Sequence, residues 1–202
     1  MQRIIFATGN EGKMKEIRRI LENLKIRGEE TRILSMKEAG IHVDIKENGR
    51  TFEENAVIKA EAVAREAKGA IVLADDSGLE IDYLNKEPGI YSARYMGEDT
   101  SYRVKNANLI ERLSGVEDEK RTARFVCAIA VAVPEESTFT EVRTIEGRIG
   151  YEERGEGGFG YDPIFYVPEY GKSTAELSED EKNAISHRGK ALRAVRKRLE
   201  DM

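Results

Sequence analysis

The chain has one cysteine and no long apolar segment. Cys127 cannot form an internal disulfide, and its place within an apolar run favours a buried small side chain over a nucleophile. The run from Val126 to Val133 is far too short to span a bilayer. The N-terminus lacks the basic, apolar and cleavable pattern of a secretory signal. These absences predict a cytoplasmic protein without a membrane segment.

Positive charge is outnumbered by negative charge. The sequence contains 33 lysines and arginines against 38 aspartates and glutamates, for a formal net charge of −5. Nucleic-acid backbones are bound mainly through lysine and arginine, so this balance argues against stable binding to nucleic acid. Any anionic ligand must therefore be bound by a local group of cations.

His42 has no partner at a metal-ligand spacing, which favours a structural role.

What is present describes a globular domain. The 202 residues are 40% hydrophobic and 35% charged, and we find neither a linker nor an internal repeat. A chain of this length can bury a substantial core. We therefore predict a single domain spanning residues 1–202, with two lobes.

The spacing of apolar residues predicts alternating strands and helices. A strand from Arg3 to Thr8 leads into a glycine loop, and helical spacing follows from Met14 to Leu24. A second helix begins at Thr51, where Thr51-Phe52-Glu53-Glu54 matches a capping box, and stops at Gly69. A short strand then reaches a turn at Asp75-Asp76-Ser77-Gly78, after which the strand pattern resumes.

The second half continues this pattern. A helix is predicted within Thr100 to Leu113, followed by a strand pair, Thr122 to Val133 and Phe139 to Ile149, that is long enough to form a second lobe. A terminal helix is capped by Ser178 with Glu181 and ends near Leu199. Helices mixed with long strands indicate an α/β fold with a mixed central sheet and a cleft between two lobes.

The segment Thr8-Gly9-Asn10-Glu11-Gly12-Lys13 is a candidate phosphate site. A strand followed by a glycine turn and a helix start aims backbone N–H groups at an anion, and Lys13 adds a full charge. The segment is not a Walker A loop, because two residues separate its glycines and Met14 stands where serine or threonine would bind magnesium. A tight turn with an exposed lysine is an equal alternative.

Asp75 and Asp76 are candidate metal ligands. They follow a strand that reads as buried, so we expect them at the carboxyl edge of the sheet, where α/β proteins usually bind ligands. Mg²⁺ takes oxygen ligands and is often shared between one or two carboxylates and substrate phosphates. The alternative is a solvated turn, although the apolar residues before the pair suggest firm anchoring.

Two later segments could bind a base. Lys182 to Arg188 places a lysine, His187 and an arginine within two helical turns, although an ordinary polar helix face explains this segment alone better. Gly157-Gly158-Phe159-Gly160-Tyr161-Asp162-Pro163 combines backbone freedom with two aromatic rings that could stack on a base. A core turn, with both rings packed against the sheet, is the slightly favoured alternative for this loop.

Taken together and in this order, these segments resemble the inosine triphosphate pyrophosphatase family, also described as dITP/XTP pyrophosphatases. The resemblance covers nearly the whole chain. Six groups of residues carry it: Ala7-Thr8-Gly9-Asn10 with Lys13, Glu47-Asn48-Gly49-Arg50-Thr51-Phe52 leading into Glu54-Asn55-Ala56, Ala74-Asp75-Asp76-Ser77-Gly78-Leu79, Pro88-Gly89-Ile90-Tyr91-Ser92-Ala93-Arg94, Gly158-Phe159-Gly160-Tyr161-Asp162-Pro163, and Glu181-Lys182-Asn183 with Ser186-His187-Arg188.

The resemblance implies an elongated fold with a nucleotide-binding cleft between lobes, a homodimer, and Mg²⁺-dependent hydrolysis of a nucleoside triphosphate to monophosphate and pyrophosphate. Asp76 is then the catalytic acid or base and a metal ligand, Glu47 shares the metal, and Lys13 contributes to catalysis. The implied substrate-binding residues are Thr8, Gly9, Asn10, Glu11, Gly12, Lys13, Ser77, Phe159, Gly160, Tyr161, Asp162, Lys182, His187 and Arg188. Lys59 and Arg94 match more loosely as phosphate contacts, and Asp75 is either a metal ligand or a partner of one.

The expected substrates are deaminated purine nucleotides such as ITP, dITP and XTP, whose removal would prevent misincorporation into DNA and RNA. The carbonyl at purine C6 would accept hydrogen bonds from His187, Arg188 or backbone N–H groups, which adenine would leave unpaired. Two alternatives stay open: a pyrophosphatase of broader specificity for modified nucleotides, and a nucleotide-sensing module that binds without hydrolysis.

Overall fold

The computed structural model describes all residues from Met1 to Met202 and contains one mixed sheet of eight strands. Along the sheet the order is β2-β3-β1-β4-β5-β6-β7-β8. β1 pairs in parallel with β3 and β4, whereas β2 with β3, β6 with β7, and β7 with β8 are antiparallel pairs. The bounds are β1 Gln2–Phe6, β2 Lys25–Ile26, β3 Glu29–Ser35, β4 Ile71–Ile81, β5 Thr122–Ala132, β6 Phe139–Ile149, β7 Phe165–Val167 and β8 Lys172–Ser173.

Five α-helices accompany the sheet: α1 Glu11–Ile20, α2 Phe52–Glu66, α3 Tyr102–Arg112, α4 Glu179–Ile185 and α5 His187–Glu200. The predicted α/β class with a mixed sheet and flanking helices is therefore confirmed. No helix is both long enough and apolar enough to cross a membrane.

The chain divides into two compact units, each with its own apolar core. The first unit comprises residues 1–76, 127–143 and 188–202, and the second comprises residues 77–126 and 144–187. In the first, side chains of β1, α1, β5 and α5 form a cluster that includes Phe6, Ile17 and Leu192. In the second, a cluster around Phe165 joins β4, α3, β6 and β7. The strand pair β5 and β6 was predicted to form the second lobe. Instead, each of these two strands contributes residues to both units.

The turn predicted at residues 75–78 is wrong. β4 continues through Asp75, Asp76, Ser77 and Gly78 to Ile81 as one strand of 11 residues. Its neighbour β5 is equally long and hydrogen-bonds to it, so pairing with a long strand overrides the local preference of these residues for a turn. The acids also lie within β4 and not at its carboxyl end. It is β1 that ends beside them, because Phe6 is paired with Leu73.

The prediction of a single terminal helix is also wrong, because the segment forms two helices. The predicted capping box is present, with Ser178 and Glu181 each accepting the other's backbone N–H at the start of α4. α4 ends at Ile185, the next residue, Ser186, is extended with a φ of −62° and a ψ of 152°, and α5 begins at His187. No glycine or proline marks the break, so the helical spacing alone did not reveal it. At α2, Thr51 caps Glu54 as predicted, but the Glu54 carboxylate accepts the Arg50 N–H instead of that of Thr51.

Candidate active site

The site is built around two adjacent acids of β4 that have different surroundings. Successive side chains of a strand point to opposite faces of the sheet. Asp75 is 1% exposed, and its carboxylate meets Lys13 and Arg188. Asp76 is half-buried and interacts with Glu47, Asn55 and Lys59. The continuous strand therefore gives the two carboxylates different partners, which a turn would not enforce.

Asp75 is the counter-ion of two cations. Lys13 Nζ donates to Asp75 Oδ2 at 3.1 Å and to Oδ1 at 3.4 Å, and Arg188 Nε donates to Oδ2 at 3.4 Å. Arg188 is 3% exposed and also donates from Nη1 to Glu16 Oε2 at 3.2 Å. Burial alone would raise the pKa of Asp75, but the charges of Lys13 and Arg188 outweigh it and hold that pKa well below its usual range. Asp75 is thus an ionised partner of cations.

The loop before α1 has the predicted strand, loop and helix form. Asn10 is the N-cap of α1, and its Oδ1 accepts the N–H of Lys13 at 3.0 Å. Thr8 Oγ1 accepts the N–H of Asn10 at 3.1 Å. Glu11 and Gly12 form the exposed first turn, and Gly9 precedes the cap. This arrangement places Lys13 in the first turn of α1, at the positive end of the helix dipole, which favours an anion.

Asp76 belongs to a second cluster with an extra carboxylate. Lys59 Nζ forms an ion pair with Glu47 and donates to the backbone oxygen of Asp75 at 2.9 Å. Burial raises the pKa of Asp76 to about 6, with Lys59 opposing the shift and Glu47 adding to it. The pKa of Lys59 is raised, because the charges of Asp75 and Glu47 outweigh its burial. Asp76 is therefore ready to exchange a proton near neutral pH.

The pair of Glu47 and Asp76 suits a divalent cation. Asp76 Oδ2 is buried and accepts no hydrogen bond, which is costly for a carboxylate oxygen unless a ligand completes it. No group of three or more His, Cys, Asp or Glu side chains capable of holding a metal is present. A set of two carboxylates is too small for a structural zinc site but matches Mg²⁺, which keeps waters and shares its ligands with substrate phosphates.

The glycine-rich loop of the second unit is organised by Asp162. This side chain is 3% exposed, and its Oδ2 accepts the Phe159 N–H at 2.9 Å and the Lys182 ammonium at 2.5 Å. Thr174 Oγ1 donates to Oδ1 at 2.8 Å. The Lys182 Nζ lies 4.6 Å from the centre of the Phe159 ring, which is 45% exposed. The loop therefore presents an open aromatic face beside an ammonium group.

The other residues that were predicted to bind substrate range from buried to exposed. Tyr161 is 5% exposed, donates to the Ser92 carbonyl at 2.5 Å and packs edge-on against Tyr102, as the core-turn alternative expects. His187 is buried and stacks on the Phe125 ring, with centroids 4.9 Å apart. Ser77 is half-buried on β4, Gly160 has a φ of +65°, and Arg94 is exposed with its guanidinium over the Tyr91 ring.

Gly158 offers a direct test of this loop. A Cβ at Gly158 would lie 2.2 Å from Asp162 Oδ2, and its φ is +67°, whereas Gly115 has a φ of +76° and open space around it. We expect both alanine substitutions to cost about 1 kcal/mol of backbone strain. Gly158→Ala should lose a further ~1–3 kcal/mol, because displaced Asp162 leaves buried donors unpaired. Urea denaturation measures the difference, and equal losses for the two variants would contradict the role of Asp162.

The sequence analysis did not predict two of the residues that build the site. Glu16 holds Arg188, and Asn55 is 1% exposed between the Glu47 segment and Asp76. A signal for Asn55 was present, since it shares the buried face of α2 with Phe52 and Ala56. A polar residue on such a face needs buried partners. Glu16 had no comparable signal, because its partner lies 172 positions away in the sequence.

Comparison with known proteins gives a consistent result. Residues 4–198 match the model of the Ham1 family. The chain is 51% identical over 200 residues to the dITP/XTP pyrophosphatase of Bacillus subtilis (strain 168), covering 99% of this chain and 98% of the relative. The structure of the Staphylococcus aureus Ham1 protein is similar at 40% identity, 99% coverage of both chains and a TM-score of 0.87. A HAM1 protein from Coxiella burnetii has 39% identity, full coverage of both chains and a TM-score of 0.89.

Proposed function

The chain belongs to the Ham1 family, and from this premise we propose that it is a magnesium-dependent nucleoside triphosphate pyrophosphatase. Its proposed substrates are ITP, dITP and XTP, which it converts to the monophosphate and pyrophosphate. The name of the Bacillus subtilis relative supports this substrate class. The observation that carries the proposal is the buried Asp76 oxygen without a hydrogen bond, in a cluster that also contains Glu47.

In this proposal Glu47 and Asp76 hold the Mg²⁺, which when bound polarises the phosphate and lowers the pKa of a coordinated water. The carboxylate of Asp76 accepts the proton of the water that attacks the α-phosphorus. In the metal-free protein burial raises the pKa of Asp76 to about 6, so at neutral pH this carboxylate is ionised and free to act as a ligand or as a base. Lys59, which pairs with Glu47, holds that carboxylate in place.

Cationic residues stabilise the leaving pyrophosphate. Lys13 pairs with Asp75 and belongs to the first turn of α1. In this proposal its ammonium group turns to a phosphate of the substrate and stays near the Asp75 carboxylate. The loop from Thr8 to Gly12 supplies backbone N–H groups, and Lys182 adds a second ammonium. Phosphoryl transfer depends mainly on such positioning and charge, because the negative charge that builds on the departing group must be matched.

Base selection depends on the group at purine C6. Phe159 offers an exposed ring for stacking, which tolerates any base, so hydrogen bonds must discriminate. We propose donors from His187, Arg188 and nearby backbone N–H groups to the C6 carbonyl of hypoxanthine or xanthine. The amino group of adenine would leave those donors unpaired. Ser77, Gly160, Tyr161 and Asp162 complete the binding residues, the last two by shaping the loop.

The test is a panel of nucleotides assayed for pyrophosphate release. We expect turnover of ITP, dITP and XTP to exceed that of ATP by at least ~10²-fold, the scale on which unpaired polar groups discriminate. Equal rates for ATP and ITP would remove the base-selection proposal and favour a pyrophosphatase of broader specificity. Binding of ITP with no pyrophosphate released would favour a nucleotide sensor. We also propose that the protein is cytoplasmic and forms a homodimer. Light scattering would reveal the dimer as a particle of twice the 22.8 kDa chain mass.

A further inference from the structure

Asn55 lies where the two proposed metal-binding carboxylates are joined. It occupies the first turn of α2 and is 1% exposed. Buried side-chain amides are stable only when their donors and acceptors are paired. Asn55 Oδ1 accepts the Gly49 N–H at 2.8 Å, and the same side chain lies close enough to the Asp76 carboxylate to lower its pKa. One amide therefore connects β4 to the segment that carries Glu47.

That segment depends on its contacts with α2. Residues 41–49 form neither a helix nor a strand, so no ladder of backbone bonds fixes the position of Glu47. Its anchors are the Gly49 N–H on Asn55 and the ion pair between Glu47 and Lys59. Asn55 and Lys59 are four residues apart on α2 and so lie on the same face. This face of α2 fixes the coil.

The approach of the coil to Asn55 also requires glycine. A Cβ at Gly49 would lie 2.7 Å from Asn55 Oδ1, 2.8 Å from Glu54 Cβ and 3.0 Å from the Asn55 nitrogen. No ordinary side chain fits those distances without moving the backbone or the amide. Gly49 and Asn55 are therefore a matched pair, in which the absence of a side chain on one permits the hydrogen bond to the other.

An asparagine side chain can serve both neighbours. The amide offers an acceptor for the Gly49 N–H and a donor for the Asp76 carboxylate. Aspartate would offer acceptors alone beside two existing carboxylates, and alanine would offer neither. Groups that orient metal ligands typically change metal affinity by about 10- to 100-fold when removed.

We propose that Asn55 is a positioning residue that holds Glu47 and Asp76 at the separation a divalent cation requires. This inference rests on the proposed function, because it assigns those two carboxylates to the metal. It adds a residue that does not contact the metal or the nucleotide. Its effect should appear in metal affinity even when no substrate is present.

The test measures binding of Mn²⁺ alone to the substrate-free protein, by the electron paramagnetic resonance signal of free Mn²⁺. We expect Asn55→Ala to weaken Mn²⁺ binding by about 10- to 100-fold, and to raise by a similar factor the Mg²⁺ concentration that gives half-maximal turnover of ITP. Gly49→Ala should do the same. The double variant should be no weaker than the worse single variant, because both changes break one hydrogen bond.

Val63→Ala is the matched control, because Val63 is a fully buried residue of the same helix without a polar partner. It should lose stability but keep the Mn²⁺ affinity of the natural protein. If Asn55→Ala and Gly49→Ala also keep that affinity, the positioning role is overturned while the proposed function stands. If the natural protein itself neither binds Mn²⁺ nor releases pyrophosphate, the proposed function fails, and the inference fails with it.

Discussion

Replacing Asp76 by asparagine should nearly abolish turnover and yet make the metal-free protein more stable. Loss of a general base typically costs about 10²- to 10⁴-fold in rate, and Asp76→Asn also removes a proposed metal ligand. The gain in stability follows from the cost of burying a negative charge. Asparagine has nearly the same shape, carries no charge and keeps a side-chain oxygen beside Asn55 that can accept a hydrogen bond.

The pH dependence of that gain has a definite sign. The pKa of Asp76 is raised from 3.8 to about 6 in the folded protein, so folding favours the protonated acid. The penalty for the ionised form is absent below about pH 4, grows as the pH rises to about 6 and is complete above it. A difference between 3.8 and about 6 corresponds to at most about 3 kcal/mol. Asp76→Asn should be more stable by up to that amount at pH 8, and no more stable at pH 4.

Urea denaturation in the presence of EDTA measures this effect, alongside pyrophosphate release with Mg²⁺. Asp44→Asn is the control, because it removes the same charge from an exposed position in the coil that carries Glu47. It should change neither quantity appreciably. Full turnover by Asp76→Asn would eliminate Asp76 as base and ligand, and a loss of stability at pH 8 would contradict the account of its burial.

Replacing the neighbouring Asp75 by alanine should have the opposite character and destabilise the protein by about 3–5 kcal/mol. The loss is large because Arg188, 3% exposed, and Lys13 would lose the buried carboxylate that neutralises them. The lowered pKa of Asp75 means that its contribution is present above its ordinary pKa. It should therefore persist across the neutral range and disappear only in strong acid.

Glu29→Ala is the control for this prediction. It removes an ion pair of 3.0 Å with the N-terminal amine, but both side chains are more than half exposed, so the loss should stay below about 1 kcal/mol. Thermal or urea denaturation at neutral pH compares the two variants. Similar small losses for Asp75→Ala and Glu29→Ala would show that Asp75 is not the buried counter-ion described here.

The sequence was sufficient to find the acids but not to separate their roles. The α/β class, the α1 loop and the family resemblance are confirmed, because each depends on local spacing or on ordered motifs. Residues 75–78 resemble a turn locally, and only pairing with the long neighbouring strand β5 keeps them extended. Since alternation along a strand assigns Asp75 and Asp76 to different partners, the turn prediction concealed the division between them.

Long-range contacts account for the rest. That Arg188 pairs with Asp75, 113 positions away, follows from the packing of α5 and not from its own sequence neighbourhood. Tyr161 is a core residue because Ser92 and Tyr102 surround it, which no spacing within the glycine-rich loop indicates. The Asn55 amide was detectable in principle, as a polar side chain on the apolar face of α2.

The most direct test of the account is to incubate the purified protein with ITP and to identify the products with Mg²⁺ and with EDTA. We predict IMP and pyrophosphate in equal amounts when Mg²⁺ is present and no turnover when EDTA replaces it. Formation of IDP and phosphate, or turnover that is unchanged by EDTA, would contradict the account.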